Sequence, residues 1–529
     1  MHKIFSGLLL LIILSGTAFG QISDNALLDT LQHTAFSFFW NEANPSNGLI
    51  KDRNTPGSAC SIASVGFGLS AICIGADHGW VSRSAARDRV MTTLNTLWRA
   101  PQGYGNGYAG YYGLFYHFLD MNTATRAWDS ELSSIDTGLL LAGVVDARQY
   151  FDGVDSAETA LRAVADSIYY RMNWDLMRNF YPGIIMAWMP GTGFLNYGPM
   201  MGYYEASIVY ILAMGSPTFG VDASAWQYWT SGYDWGTQYG YSYVIFPPLF
   251  GHQYTHCWVD FRNIADDYMR AAGITYFENS RRATLAQRAY SIANPGGFPG
   301  YSDSLWGITA SDVPGSLHGG NTYMARGAPP PQDDDGTITP TAPIGSIAFA
   351  PEVVLPVIRN MWNNYRPQLW TQYGFRDAFN LGVNWWDTDI IGIDQGPIVI
   401  MIENYRTQAV WKRFMKNADV QRGLQIGGFL PVTSVASEHV LPSRLELWQN
   451  FPNPCNPATT IRYVLPASQH VRLAVYDVLG NQVALLVDSV QEAGTHLAKL
   501  DGAGFSSGVY FYRLESQGVA ETRKLLMLR

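Results

Sequence analysis

The sequence predicts a mainly α fold, an (α/α)6 barrel or toroid, followed by a small all-β immunoglobulin-like sandwich. Between residues 22 and 430, apolar residues recur at three- and four-residue steps in ten segments, with room for two more. Long Gly-, Pro- and Trp-rich loops join these segments, whereas simple bundles use short connections. Paired helices closed into a ring use such loops at one end to build a cleft. After Phe429 the pattern changes to short alternating runs separated by Gly, Pro and Asp turns.

Residues 1–20 have the form of a secretory signal: Lys3, an apolar run Leu8–Leu14, then Ala18-Phe19-Gly20 as a small-x-small cleavage site. The mature chain is expected to start near Gln21, with no lipoprotein cysteine after it. Helix-period segments follow, among them ALLDTLQHTAFSFFW, SIASVGFGLSAICIGADHG, TGLLLAGVVDARQYF, EASIVYILAMG, FRNIADDYMRAAG, PEVVLPVIRNMWNNY and GPIVIMIENYRTQAVWKRFM. They define a catalytic domain over 21–430. A polar linker covers 431–444, and TTIRYVLP, VRLAVYDVLG, HLAKLDG, GVYFYRLES and TRKLLMLR supply strands for a sandwich over 445–529.

Only 15% of residues are charged and 47% are hydrophobic, so the chain can bury a large core. A net charge of −9 without a basic block argues against nucleic acid and anionic membranes as partners. No run of about 18 apolar residues follows the leader, so no transmembrane segment is expected. Cys60, Cys73, Cys257 and Cys455 are too few for a disulfide framework, although Cys60 and Cys73 could pair.

Four stretches carry candidate chemistry. In SELSSIDTGLL, Ser133 and Asp136 form a capping box with Asp in the usual Glu place, and Asp136 faces the helix N-terminus. Glu131 would precede the helix. Five residues of continuous helix set side chains about 140° apart, so only a loop-to-helix junction could aim both carboxylates at one ligand. In GYYEAS, Glu205 follows two tyrosines, and desolvation there would raise its pKa as a general acid requires. In NWWDTDIIGIDQGP, Asp387, Asp389 and Asp394 follow Trp385 and Trp386, and tryptophan faces beside carboxylates suit a sugar cleft. In GHQYTHCWVDFR, His252, His256 and Asp260 share one face if the stretch is helical. No HExxH glutamate accompanies the histidines, so hydrogen bonding to substrate is expected rather than zinc. Asp333–Asp335 reads as a solvated acidic turn or a calcium loop. The Gly/Tyr loop from Gly103 has no adjacent strand and does not suit a dinucleotide. No metal or cofactor is expected.

Two resemblances add to this reading. NGLIKDR, GYYGLFYHFLDMNTATR, SELSSIDTGLLLAGV, GYYEASIVYILAMGSPT, GHQYTHCWVDFR, WGITASD, YGFRDAFN and IGIDQGPIVIMIENYRT, in that order, resemble the glycoamylase-like family. That resemblance implies an (α/α)6 glycoside hydrolase related to inverting endo-β-1,2-glucanases. It implies Glu205 as general acid and Asp394 as general base. Glu131, Asp136, His117, His252, His256, Asp260, Arg262 and Trp306 would line the cleft, with Trp385 and Trp386 beside it. LWQNFPNPCNPATTIRYVLP, VRLAVYDVLGNQV and GFSSGVYFYRL resemble the C-terminal sorting domain of type IX secretion, implying a secreted or surface protein that meets that machinery.

The expected function is hydrolysis of a glucan, most of all β-1,2-glucan, with inversion. The alternatives are an exo-acting α-1,4-glucosidase, a polysaccharide lyase using Tyr and His, and a non-catalytic glycan-binding protein.

Overall fold

Short polar side chains fix where most of the helices begin. Ser23, Ser61, Ser82 and Ser133 each accept a backbone N–H at the start of the first four helices, and Asp155, Asp222, Asp266 and Thr275 do the same further on. The computed structural model describes residues 22–194, 197–320, 322–432, 445–450, 453–465, 469–491 and 494–528. The expected signal segment and residues 433–444 of the linker lie outside the described residues.

The helices are α1 (Asp24–Asn41), α2 (Ile62–Asp77), α3 (Arg83–Arg99), α4 (Ser134–Tyr150), α5 (Ser156–Tyr170), α6 (Ser207–Gly215), α7 (Ala223–Ser231) and α8 (Asp267–Ala272). Then come α9 (Tyr276–Ala293), α10 (Thr341–Ile344), α11 (Pro351–Asn360), α12 (Arg366–Leu369), α13 (Gly392–Arg406), α14 (Ala409–Phe414) and α15 (Ala418–Ile426). Helices α7, α10, α12 and α15 fall outside the ten expected segments, the second and third of them only four residues long.

Burial alternates along the chain. Helices α2, α4, α6 and α13 are enclosed over most of their length, whereas α1, α3, α5 and α9 bury one face. The enclosed segments meet in sequence. Helix α2 packs on α4, and α4 on α6. The Ser207 hydroxyl lies 2.8 Å from that of Thr255, and Gln253 donates to the Ala342 carbonyl of α10 at 2.6 Å. Helix α10 packs on α13, and α13 returns to α2. The result is a closed ring.

Glycine permits the tightest approach in this ring. A Cβ on Gly66 of α2 would stand 2.2 Å from the Leu139 carbonyl oxygen, and one on Gly143 of α4 would stand 1.9 Å from that of Gly66. Backbones this close leave no room for any side chain.

Three expected helices are broken. The 396–415 segment splits at Gln408, whose φ is +62°. The 351–365 segment continues beyond α11 as a π-turn over Met361–Tyr365. The 261–273 segment is helical only in α8, with Ile264–Ala265 extended.

The C-terminal region forms two antiparallel sheets. Its strands are β1 (Glu446–Leu447), β2 (Ala458–Leu465), β3 (Gln469–Tyr476), β4 (Gln482–Gln491), β5 (Gly494–Asp501), β6 (Gly508–Ser516) and β7 (Val519–Met527). The orders are β1-β2-β5 and β4-β3-β6-β7. Leu447, Ile461 and Tyr463 of the first sheet share a core with Leu473, Val475, Tyr512 and Leu514 of the second. The Tyr512 hydroxyl donates to the Trp448 carbonyl and accepts from the Asn450 N–H, both at 2.6 Å, which ties the SGVYFY run to the residues before FPNP. Strand β4 escaped the sequence reading because Val483, Leu485 and Val490 stay exposed on an edge strand.

All four cysteines are buried free thiols, so Cys60 and Cys73 do not pair. Among the described residues no helix is long and apolar enough to cross a membrane.

Candidate active site

The loop-to-helix junction at Ser133 builds one wall of a cavity of about 310 Å³. The Ser133 hydroxyl accepts the Asp136 N–H at 3.1 Å and donates to Asp136 Oδ2 at 2.5 Å. This caps α4 and fixes the Asp136 carboxylate at once. Glu131 stands before the cap, and His117 bridges the pair. His117 Nδ1 lies 2.8 Å from Glu131 Oε1, and Nε2 lies 3.5 Å from Asp136 Oδ1. Burial opposes charge on His117, but the Asp136 carboxylate and the Glu131 hydrogen bond outweigh it and raise its pKa to about 9. Burial pulls Glu131 the other way, yet the His117 bond holds its pKa below the ordinary glutamate value. All three side chains line the cavity.

Glu205 lines the same cavity, two residues before α6. Its carbonyl accepts from the Thr255 hydroxyl at 2.9 Å, while its Oε2 is buried without a hydrogen-bond partner. Phe250, Tyr254 and Tyr323 complete the rim near it. Burial raises the Glu205 pKa to about 8; its own backbone N–H moderates the shift and the Asp136 charge adds to it. At neutral pH Glu205 therefore carries a proton in a cavity with an ionised wall.

Asp394 lies in the first turn of α13, directly after the cavity-lining Ile393. Its Oδ2 is buried and unpartnered. Burial raises its pKa, while a hydrogen bond with Asp377 works against the rise. Asp377 is raised well above the aspartate value by burial and by the Asp394 charge, so the two carboxyls titrate as one pair. Asp312 and Asp387 join them: Asp312 donates its N–H to Asp377 Oδ2 at 2.8 Å, and both carboxyls are raised, by burial first. Arg53 Nη1 clamps Asp312 and Asp389, at 2.9 Å to each.

Two groups bring three possible ligand atoms together, and only the first, all carboxylates, suits a hard cation by donor type. Asp312, Asp377 and Asp387 bring one ligand atom each within 4.8 Å of one another, as do His117, Glu131 and Asp136. The second group is already internally paired through His117.

Asp394 itself is not among the described residues that line the Glu205 cavity, and neither are several other expected cleft residues. GHQYTHCWVDFR is not one helix; it folds as two 3-10 turns, Leu249–His252 and Thr255–Cys257, so the assumed common face does not exist. His252 is fully buried, with Nε2 3.1 Å from the Phe246 carbonyl and its ring against Tyr203. His256 is buried against Phe261 and Phe349, 3.0 Å from the Ser280 hydroxyl. Burial lowers both histidines to about 3, so both are neutral core groups. Asp260 pairs with Arg262 at 2.7 Å, and that guanidinium covers Trp411. Trp306 is wholly buried. Trp385 and Trp386 form a strand against Phe379–Asn380, and Trp386 stacks on Phe379 at 5.2 Å. None of these seven is among the described residues that line the Glu205 cavity. In the acidic turn, Tyr290 and Tyr301 donate to Asp334 while His318 and Arg326 hold Asp335.

Nothing in the sequence singles out Asp312, Asp377 or Arg53, although WGITASD, YGFRDAFN and NGLIKDR contain them. Each is one ordinary residue of a loop motif, and only the fold brings the three together.

Residues 197–418 match a family model described as "Putative glucoamylase". A Bacteroides uniformis protein of the same description is 32% identical and superposes with a TM-score of 0.71 over 78% of this chain and 98% of its own. The chain belongs to the glycoamylase family. Another solved member, the endo-β-1,2-glucanase of Chitinophaga pinensis in complex with sophorotriose and glucose, is 29% identical with a TM-score of 0.71, over 77% of this chain and 99% of its own. A Parabacteroides distasonis exo-β-1,2-glucooligosaccharide sophorohydrolase, acting at the non-reducing end, is 32% identical over 438 residues. That match spans 76% of this chain but 58% of the relative's length. The glycoamylase model contains Glu205 and Asp394, whereas His117, Glu131 and Asp136 precede it. Residues 449–528 match the secretion system C-terminal sorting domain.

Proposed function

We propose that this chain is a secreted inverting glycoside hydrolase that cleaves β-1,2-glucan, on a ring of helices that is an (α/α)6 barrel. The observation that carries the proposal is Glu205, a protonated carboxyl with an unpartnered oxygen in a cavity whose other wall is ionised. Glu205 gives its proton to the glycosidic oxygen. Asp394 takes a proton from the attacking water, directly or through a substrate hydroxyl, and Asp377 steadies its charge. The two relatives that act on β-1,2-linked glucans support the linkage. The sorting domain supports export by the type IX route to the cell surface or beyond. His117, Glu131 and Asp136 grip sugar hydroxyls in the same cavity.

A panel of β-1,2-glucan, starch and laminarin tests the linkage. Release of sophoro-oligosaccharides from the first alone is the expected result, and starch hydrolysis would replace it with an α-glucosidase. Proton NMR of the first product tests the stereochemistry: the new reducing end should appear in the α form, and a β product would rule out inversion.

A further inference from the structure

We propose that the Gly/Tyr loop 103–112, together with Trp188, is a ledge that receives glucosyl units of the glucan beyond the cavity; this rests on the glucan reading above. The ledge is an unusual surface. Tyr104 is 66% exposed and Tyr112 51%, though tyrosine rings ordinarily bury much of their apolar area. The rings are ordered against each other. Tyr111 stacks on Trp188 with centroids 5.4 Å apart, and Tyr104 meets the edge of Tyr111 at 6.0 Å.

The ledge is continuous with the cavity. Trp188 pairs in a two-residue sheet with Leu132, the neighbour of Glu131, and Ala187 pairs with the cap Ser133. Met186 and Ala187 line the cavity itself, so the ledge begins where the cavity wall ends.

The loop is also held rigid before any ligand arrives. Gly103 and Ala109 donate to the carbonyls of Gly110 and Pro101 at 2.7 and 2.8 Å. Gly105 has a φ of +95° and donates to the Tyr116 hydroxyl at 2.8 Å. A pre-set face loses little conformational freedom on binding.

The chemistry selects a neutral ligand with flat apolar faces. Residues 101–112 contain no ionisable acid or basic side chain apart from tyrosine. Arg126, which reaches Asn106 from outside the loop, is engaged by the Ser130 carbonyl and the Tyr116 ring, which leaves it little to offer the phosphates of a nucleic acid or the carboxylates of a uronate. A β-glucan chain leaving the cavity meets the requirement, because each pyranose offers an apolar face to stack.

The test compares the full-length protein with Tyr104→Ala/Tyr111→Ala. The ratio of kcat/KM on polymeric β-1,2-glucan to that on sophorotetraose should fall about tenfold, as expected when two stacking rings are removed from the path of the longer chain. An unchanged ratio overturns the ledge. Affinity electrophoresis in gels containing β-1,2-glucan tests it independently of turnover. The wild-type band should be retarded and that of the variant should not; equal mobility overturns the ledge. Absence of hydrolysis by the wild-type protein with retardation intact would instead sink the catalytic reading alone.

Discussion

His117 stands between Glu131 and Asp136, 2.8 Å from one carboxylate and 3.5 Å from the other. One imidazolium thus joins two acids that sit on either side of a helix cap. Removing it leaves two partly buried carboxylates facing each other across the cavity wall. His117→Ala should raise KM for β-1,2-glucan at least tenfold, because like charges then repel where sugar hydroxyls must dock. Steady-state kinetics at pH 7 check this; an unchanged KM would free the three residues from the substrate.

Glu205→Gln should lower kcat by at least about 10²-fold, the lower range for loss of a general acid, while Kd for the glucan stays within a factor of three. Single-turnover kinetics with binding calorimetry separate the two. A variant that still turns over at the wild-type rate has its acid elsewhere.

The same substitution should change stability in a pH-dependent way. Glu205 titrates near 8 in the fold against 4.5 when unperturbed, so its folded-state proton stabilises fully below about 4.5. That stabilisation is lost as pH rises through about 8. At pH 9 Glu205→Gln should exceed the wild type by at least about 1.4 kcal/mol relative to their difference at pH 4, the equivalent of one pKa unit. Denaturant melts at both pH values measure it.

The pH–rate profile should have its basic limb near 8, where Glu205 loses its proton, and its acidic limb above the ordinary aspartate range near 4, because burial raises Asp394. The hydrogen bond with Asp377 lowers Asp394. Asp377→Ala should therefore move the acidic limb upward, whereas Asp377→Asn keeps a donor and should leave it nearer the wild-type position. Identical limbs in both variants would detach Asp377 from the base.

Asp146 and Arg413 form a buried pair at 2.8 Å. Asp146→Ala leaves the guanidinium only the more distant Asp77 carboxylate, at 3.6 Å, and should cost about 3 kcal/mol with kcat of the folded fraction unaltered. Thermal melts and active-site-normalised rates check both halves.

The elements readable from sequence are those whose cause is local. Ser133 and Asp136 announce a cap three residues apart, and α4 begins there. The helix expected around His252 and His256 failed for a reason that is not local. Gln253 donates to the Ala342 carbonyl, the Phe250 N–H donates to the Thr309 hydroxyl and His256 packs on Phe349, and these contacts from far along the chain accompany two tight turns with both histidines inside. The acidic cluster was hidden for the opposite reason. Arg53 and Asp389 are 336 residues apart, and no window along the chain contains both. Glu205 was legible because its tyrosine neighbours already implied a desolvated carboxyl.

The glycine contact between α2 and α4 sets a limit for anyone wishing to engineer this molecule. Gly66 and Gly143 meet main chain to main chain, and α4 is the helix whose first turn carries Asp136. Mutational libraries should leave both positions alone, since even a methyl group would prise apart the scaffold that places the acidic wall. Loop 103–112 supplies none of the atoms nearest to those two glycines. Grafting there would therefore leave the frame closed.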